Sequence, residues 1–213
     1  MPRRTPPRGT LVLLVRHGET PTTGKLLPGR ARGLHLSDNG KAQAEAVAAR
    51  LAALAKVDAI YASPLERTRE TAKPIAKTRG LDVVIDKGLI EVDIGDWTGA
   101  ELKVVSRLPE WKAVHTYPSG FRFPGGESFP EMQQRIVSTV ERLRKAHPGQ
   151  TIVAVSHADP IKACVAHALG THLDLFQRIV ISPCSVTAIA YGDSGPTVLT
   201  VNSVGDLTAV KPS

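Results

Sequence analysis

His17 stands between Arg16 and Gly18, directly after the apolar run Leu11-Val12-Leu13-Leu14-Val15. Imidazole nitrogen is a nucleophile, a guanidinium grips oxygens in pairs, and glycine permits close approach, so this tripeptide suits attack on phosphorus. A phosphomonoester carries about −1.5 to −2 charge near neutral pH and needs several fixed donors around it. His157 follows a second β-type run, Thr151-Ile152-Val153-Ala154-Val155, with Ser156 between. Alone, it fits a core histidine bonded to backbone equally well; two histidines at the ends of two buried runs favour a shared site.

Those runs lack polar alternation, as central strands covered on both faces do. Further strands are expected at Asp58 to Tyr61, Asp82 to Ile85, Ser185 to Tyr191 and Thr197 to Val201, the last two paired through the turn at Gly192-Asp193-Ser194-Gly195. Helical spacing of Ala44, Val47, Leu51 and Leu54 predicts a helix over 38–56 with Ser37 as its cap. Ser63 as cap and Pro64 at the first helical position predict another, with Arg67 in its first turn and Pro74 kinking or ending it before a weakened continuation to Arg79. Helices are also expected from Ser128 to about Ala146, with Met132, Ile136, Val140 and Leu143 on one face, and from Asp159 to Leu169. Strands alternating with helices imply an α/β fold, a three-layer sandwich whose mostly parallel central sheet carries helices on both faces. Ligands of such sheets bind beyond the carboxyl ends of the strands, where His17 and His157 fall.

The chain has 213 residues, 42% of them hydrophobic, enough for one sizeable domain over residues 10–213 behind a flexible basic arm at 1–9. Residues 100–123 read as an excursion over the site, whose Trp111, His115, Tyr117, Phe121, Arg122 and Phe123 either line its mouth or pack the excursion. Of the formal charge of +7, +6 falls within residues 1–35 and the rest is nearly balanced. With aromatics at only 4%, a nucleic-acid partner is not expected. The five-residue apolar run is too short for a membrane span, so no membrane partner is expected either. Cys164 and Cys184 form no disulfide framework or metal spacing, which suits a reducing, cytoplasmic setting.

Several segments together resemble the histidine phosphatase superfamily, in its phosphoglycerate mutase-like branch. They are Leu14-Val15-Arg16-His17-Gly18-Glu19-Thr20, Leu36-Ser37-Asp38-Asn39-Gly40-Lys41-Ala42-Gln43-Ala44, Ser63-Pro64-Leu65-Glu66-Arg67-Thr68-Arg69-Glu70-Thr71-Ala72, the loop from Glu91 to Gly99, Gly125-Gly126-Glu127-Ser128 and Val155-Ser156-His157. The resemblance implies that Arg16, Arg67 and His157 hold a phosphoryl group around His17, and that Glu91 is the proton donor, with Asp93 its rival. Without that context Arg67 would read as an ordinary helix-surface arginine. Trp97 and Gly99 are read as fixing the loop.

What the resemblance implies is a phosphatase acting on a small phosphorylated metabolite through a phosphohistidine, with no metal or other cofactor. Gly18, Thr23, Gly29, Arg30 and Ala158 form the expected substrate-binding set. Thr23 and Pro28-Gly29 depart from the mutase branch, Ala158 replaces a glycine after the second histidine, and Val92 stands where glycolytic mutases carry an arginine. Two alternatives stay open, a phosphomutase and a non-catalytic phosphate-binding module. A metallohydrolase would instead recruit His17, Asp93, His157 and Asp159 as ligands. Paired sheet edges leave a homodimer open.

Overall fold

The computed structural model describes residues 9–205; all of the basic arm except Gly9 lies outside them. Six strands form one sheet: β1 Thr10–Arg16, β2 Ala59–Ala62, β3 Val83–Ile85, β4 Thr151–Ser156, β5 Val186–Gly192 and β6 Gly195–Ser203. Their order is β3-β2-β4-β1-β5-β6. β3, β2, β4 and β1 run parallel, whereas β5 is antiparallel to both β1 and β6.

The helices are α1 Asp38–Ala52, α2 Glu66–Arg79, α3 Leu102–Val105, α4 Pro109–Thr116, α5 Phe129–Ala146 and α6 Ala158–Ala168. Successive strand residues face opposite sides, and β1 shows why its sequence is apolar throughout. Val12 and Leu14 pack with α5 and α6 residues such as Met132, Ile136 and Ile161. Leu11, Leu13 and Val15 pack with α1 and α2 residues such as Val47, Leu51 and Ile75. β4 divides likewise, Ile152 and Ala154 to one layer and Val153 and Val155 to the other. The three-layer, mostly parallel expectation is therefore met.

Local differences have identifiable causes. Ser63 and Pro64 precede α2 rather than starting it: Leu65 is the N-cap and, having no polar side-chain atom, makes no side-chain cap bond, while the Ser63 hydroxyl is engaged with His157. Pro74 does not end α2, which continues through buried Ile75 and Ala76 to a left-handed Gly80 cap. α1 stops at Ala52 rather than 56, where Arg79 from α2 takes the carbonyls of Leu51 and Leu54. Ser37 caps α1 as expected, and Ser128 and Glu131 form a reciprocal capping box on α5.

Residues 100–123 form α3, α4 and a short turn. Trp97, Trp111, Phe121, Phe123 and Phe129 make a chain of ring contacts that ties this segment to the core. Among the described residues no helix is long and apolar enough to cross a membrane.

Candidate active site

The carboxyl ends of β1 and β4 are neighbours in parallel register, Arg16 beside Ser156. The next residues are His17 and His157. The His17 amide donates to the Ser156 carbonyl at 3.0 Å, and the two imidazole rings lie 5.2 Å apart at 64°. β2 ends beside them, so the first turn of α2 places Arg67 in the same space, and the chain leaving β3 brings Glu91 to it.

His17 Nδ1 lies 2.7 Å from the Gly18 carbonyl oxygen. A carbonyl only accepts, so Nδ1 carries the hydrogen and the Nε2 lone pair faces the site. Arg67 Nε donates to that Nε2 at 3.3 Å, and Arg67 Nη2 donates to the Gly29 carbonyl at 2.7 Å. Far from lying on a helix surface, Arg67 is 0% exposed. Arg16 Nη1 donates to the Ile181 carbonyl at 2.6 Å. His157 Nε2 lies 2.8 Å from the Ser63 hydroxyl, while its Nδ1 is 4.0 Å from Glu91 Oε2. Three buried nitrogens of this cluster have no partner: Arg16 Nε, Arg67 Nη1 and His157 Nδ1. Buried donors are ordinarily satisfied, so their convergence marks a place built for an acceptor-rich anion.

The electrostatics follow from burial. Desolvation, reinforced by Arg67 and then by Arg16, holds His17 well below the ordinary histidine range. His157 is depressed by burial, then by Arg67 and His17. Glu91 moves the other way: burial first, and the Asp159 carboxylate second, push it up to about 7. The cluster thus combines neutral imidazoles, charged guanidiniums and a carboxyl that holds its proton near neutrality.

The residues of the expected substrate-binding set have these surroundings. Gly18 is tightly packed: a Cβ there would meet the Gly40 carbonyl oxygen at 2.6 Å. Its amide donates to Thr71 Oγ1 at 3.0 Å. Gly29, at φ +46°, offers its carbonyl to Arg67, and a Cβ on it would strike Ile94. Thr23 closes its own turn, Oγ1 accepting from the Thr20 amide at 2.9 Å. Arg30 grips the acid loop, donating to the Glu91 carbonyl, Asp93 Oδ2 and Glu127 Oε2 at 2.8, 3.2 and 2.9 Å. Ala158 is the first residue of α6 and directly follows His157.

Asp93 also accepts from the Gly95 amide at 3.1 Å and is committed to the loop, so Glu91 is the carboxyl that faces the histidines. Asp159 is paired with Lys162 at 3.1 Å. Among the described residues no group of three or more His, Cys, Asp or Glu side chains is arranged to hold a metal ion, so the four-ligand set of the metallohydrolase alternative does not assemble.

Three contributors carry no sequence signal for their roles. Ser63 has the local pattern of a helix cap. Glu127 lay inside a quoted motif without a role, and Arg135 had no local signal. Arg135 donates to the carbonyls of Gly88 and Ile90 at 2.9 and 2.7 Å and to both oxygens of Glu127 at 2.9 Å. The Arg30-Glu127-Arg135 chain therefore fixes the backbone that carries Glu91.

The model of the histidine phosphatase superfamily, branch 1, matches residues 12–204. The chain belongs to this superfamily. Phosphoserine phosphatase 1 of Hydrogenobacter thermophilus is 34% identical over 196 residues, covering 90% of this chain and 91% of that one. A protein of Mycobacterium tuberculosis named as bifunctional is 32% identical over 96% of this chain, which spans only 56% of its length. The solved phosphoserine phosphatase of Entamoeba histolytica, in complex with 3-phosphoglyceric acid, has a TM-score of 0.81 at 27% identity, covering 92% of this chain and 98% of that one. Phosphatase-named relatives of this histidine phosphatase agree with the expectation of a phosphoric monoester hydrolase.

Proposed function

We propose that this histidine phosphatase hydrolyses a small-molecule phosphomonoester in two steps through a phosphohistidine at His17. The observation that carries the proposal is the set of three unpartnered buried nitrogens, on Arg16, Arg67 and His157, gathered around a histidine whose Nε2 lone pair faces them. In the first step Arg67 Nε turns from His17 Nε2 to the phosphoryl oxygens, the freed lone pair forms the N–P bond as the P–O ester bond breaks on the opposite side, and Glu91 gives its proton to the departing alkoxide. In the second, water attacks phosphorus and passes a proton to the Glu91 carboxylate. The N–P electron pair returns to His17, and inorganic phosphate leaves.

Arg16, Arg67 and His157 stabilise charge on the equatorial oxygens in both steps. Ser63, donating to His157 Nε2, leaves the Nδ1 hydrogen aimed at the phosphoryl group. The Ala158 amide, at the start of α6, adds a donor of the kind helix N-termini offer to anions. An acid with a proton affinity near the working pH suits this double role, contributing on the order of 10²- to 10⁴-fold in rate.

Val92 supports hydrolase over mutase: its side chain is buried in the core and unable to meet a substrate carboxylate. Incubation with phosphoglycerates and other monoesters should release inorganic phosphate without forming isomers. Isomer formation exceeding phosphate release would overturn the hydrolase reading. Cys164 and Cys184, both free and buried, support a reducing, cytoplasmic location.

A further inference from the structure

The alcohol half of the ester needs a place beside Glu91. A cavity of about 200 Å³ lies between α4, the start of α6 and the loop after Glu91. Three of its walls continue from the site itself: Leu27 shortly before Gly29, Ile94 shortly after Glu91, and Asp159 just past His157. Trp111 and Val114 from α4 form an apolar side, and Lys162 and Gln177 a polar edge. Neither this cavity nor a larger one of about 820 Å³, which shares Trp111, is lined by any of the five site residues; what ties the smaller one to Glu91 is Asp159, whose carboxylate is close enough to raise the Glu91 proton affinity.

Lys162 Nζ donates to Asp159 Oδ1 at 3.1 Å and to Gln177 Oε1 at 2.9 Å. An ammonium has three N–H bonds, so one remains for an occupant. Asp159 balances the Lys162 charge, and no second lysine or arginine lines the cavity, His115 being its one other basic side chain. The volume equals about seven waters at ~30 Å³ each. That is below the ~300–1,000 Å³ of pockets that hold drug-sized ligands.

We propose that this cavity is the leaving-group subsite, and that the alcohol it selects is compact, largely apolar and without net charge, with one acceptor oxygen for Lys162. The proposal rests on the phosphatase reading and names its substrate class. A nucleoside is too large for the subsite, and a second phosphate finds no lysine or arginine there beyond Lys162, which Asp159 already pairs.

The test is kcat/KM of the full chain on phenyl phosphate, 4-acetylphenyl phosphate, a nucleoside monophosphate and a sugar bisphosphate, with inorganic phosphate as competitive inhibitor. The acetylphenyl ester should exceed the phenyl ester by more than its leaving group explains, and Lys162→Met should remove that excess, about tenfold. Val114→Trp should lower kcat/KM for both aryl esters at least tenfold with the phosphate inhibition constant unchanged. Preference for the nucleotide or bisphosphate, or variants with the wild-type selectivity, would overturn the subsite.

If Val114→Trp does not fold, Lys162→Met decides. If the wild type neither binds phosphate nor releases it from any ester, the phosphatase reading fails instead. Saturation-transfer NMR of 4-hydroxyacetophenone against wild type and Lys162→Met then still reads the cavity: weaker binding to the variant supports it, and equal binding contradicts it.

Discussion

Replacing Glu91 by Gln removes the carboxyl proton while keeping a similar shape, and its effects separate by pH and by substrate. Burial first, then Asp159, raise Glu91 from 4.5 to about 7. The folded protein therefore holds this proton more tightly than the unfolded chain, so wild-type stability is fully present below pH 4.5 and is withdrawn as pH rises through about 7. At about 1.36 kcal/mol per pH unit, the withdrawn amount is on the order of 3 kcal/mol. Glutamine stays neutral throughout and is spared that loss. Urea unfolding should show Glu91→Gln more stable than wild type by that order at pH 8, with the difference vanishing near pH 4.5.

Catalysis should move the other way. Turnover of an alkyl phosphomonoester should fall by about 10²- to 10⁴-fold in the variant. An aryl ester, whose leaving group departs without a proton, should lose much less. Wild-type turnover of the alkyl ester should decline above pH about 7 as Glu91 ionises. His17, held low by burial and the two arginines, should impose no acid limb in the ordinary histidine range. A stability difference that is the same at both pH values, or equal losses on alkyl and aryl esters, would refute the assignment.

Gly18→Ala should destabilise the fold by about 1–3 kcal/mol in urea unfolding, since the obstacle is the Gly40 backbone rather than a movable side chain. Ser63→Ala should lower kcat for every ester while changing Tm little, because it releases the His157 tautomer; rescue by Ser63→Thr would separate positioning from packing. Arg135→Ala should let the Gly88 to Glu91 backbone drift and reduce kcat on alkyl esters more than on aryl esters, with KM little changed. Equal losses on both ester types would show that Arg135 does not act through Glu91.

The central layer was legible because β1 and β4 carry apolar residues on both strand faces, a pattern that only a sheet covered on both sides explains. The carboxyl-end rule then puts His17 and His157 together, because each directly follows a central strand. Arg67 and Glu91 were legible only through motif context, since nothing in a helix-surface pattern announces a fully buried arginine. What stayed hidden was tertiary. Ser63 has the local chemistry of a helix cap and is diverted to His157 by the approach of β4. The bonds of Arg30 to Glu127 and the Glu91 carbonyl join residues far apart in sequence, so no local pattern announces them. Arg79 reaches from another helix to carbonyls at the end of α1, an interaction that no local signal encodes.

The most direct measurement is a rapid-quench experiment with an ester labelled at phosphorus, followed by digestion and location of the label. The account predicts transient label on the peptide that contains His17, appearing before inorganic phosphate is released, and none in His17→Ala. Phosphate released in a single turnover with no labelled protein, or with label on another residue, would contradict it.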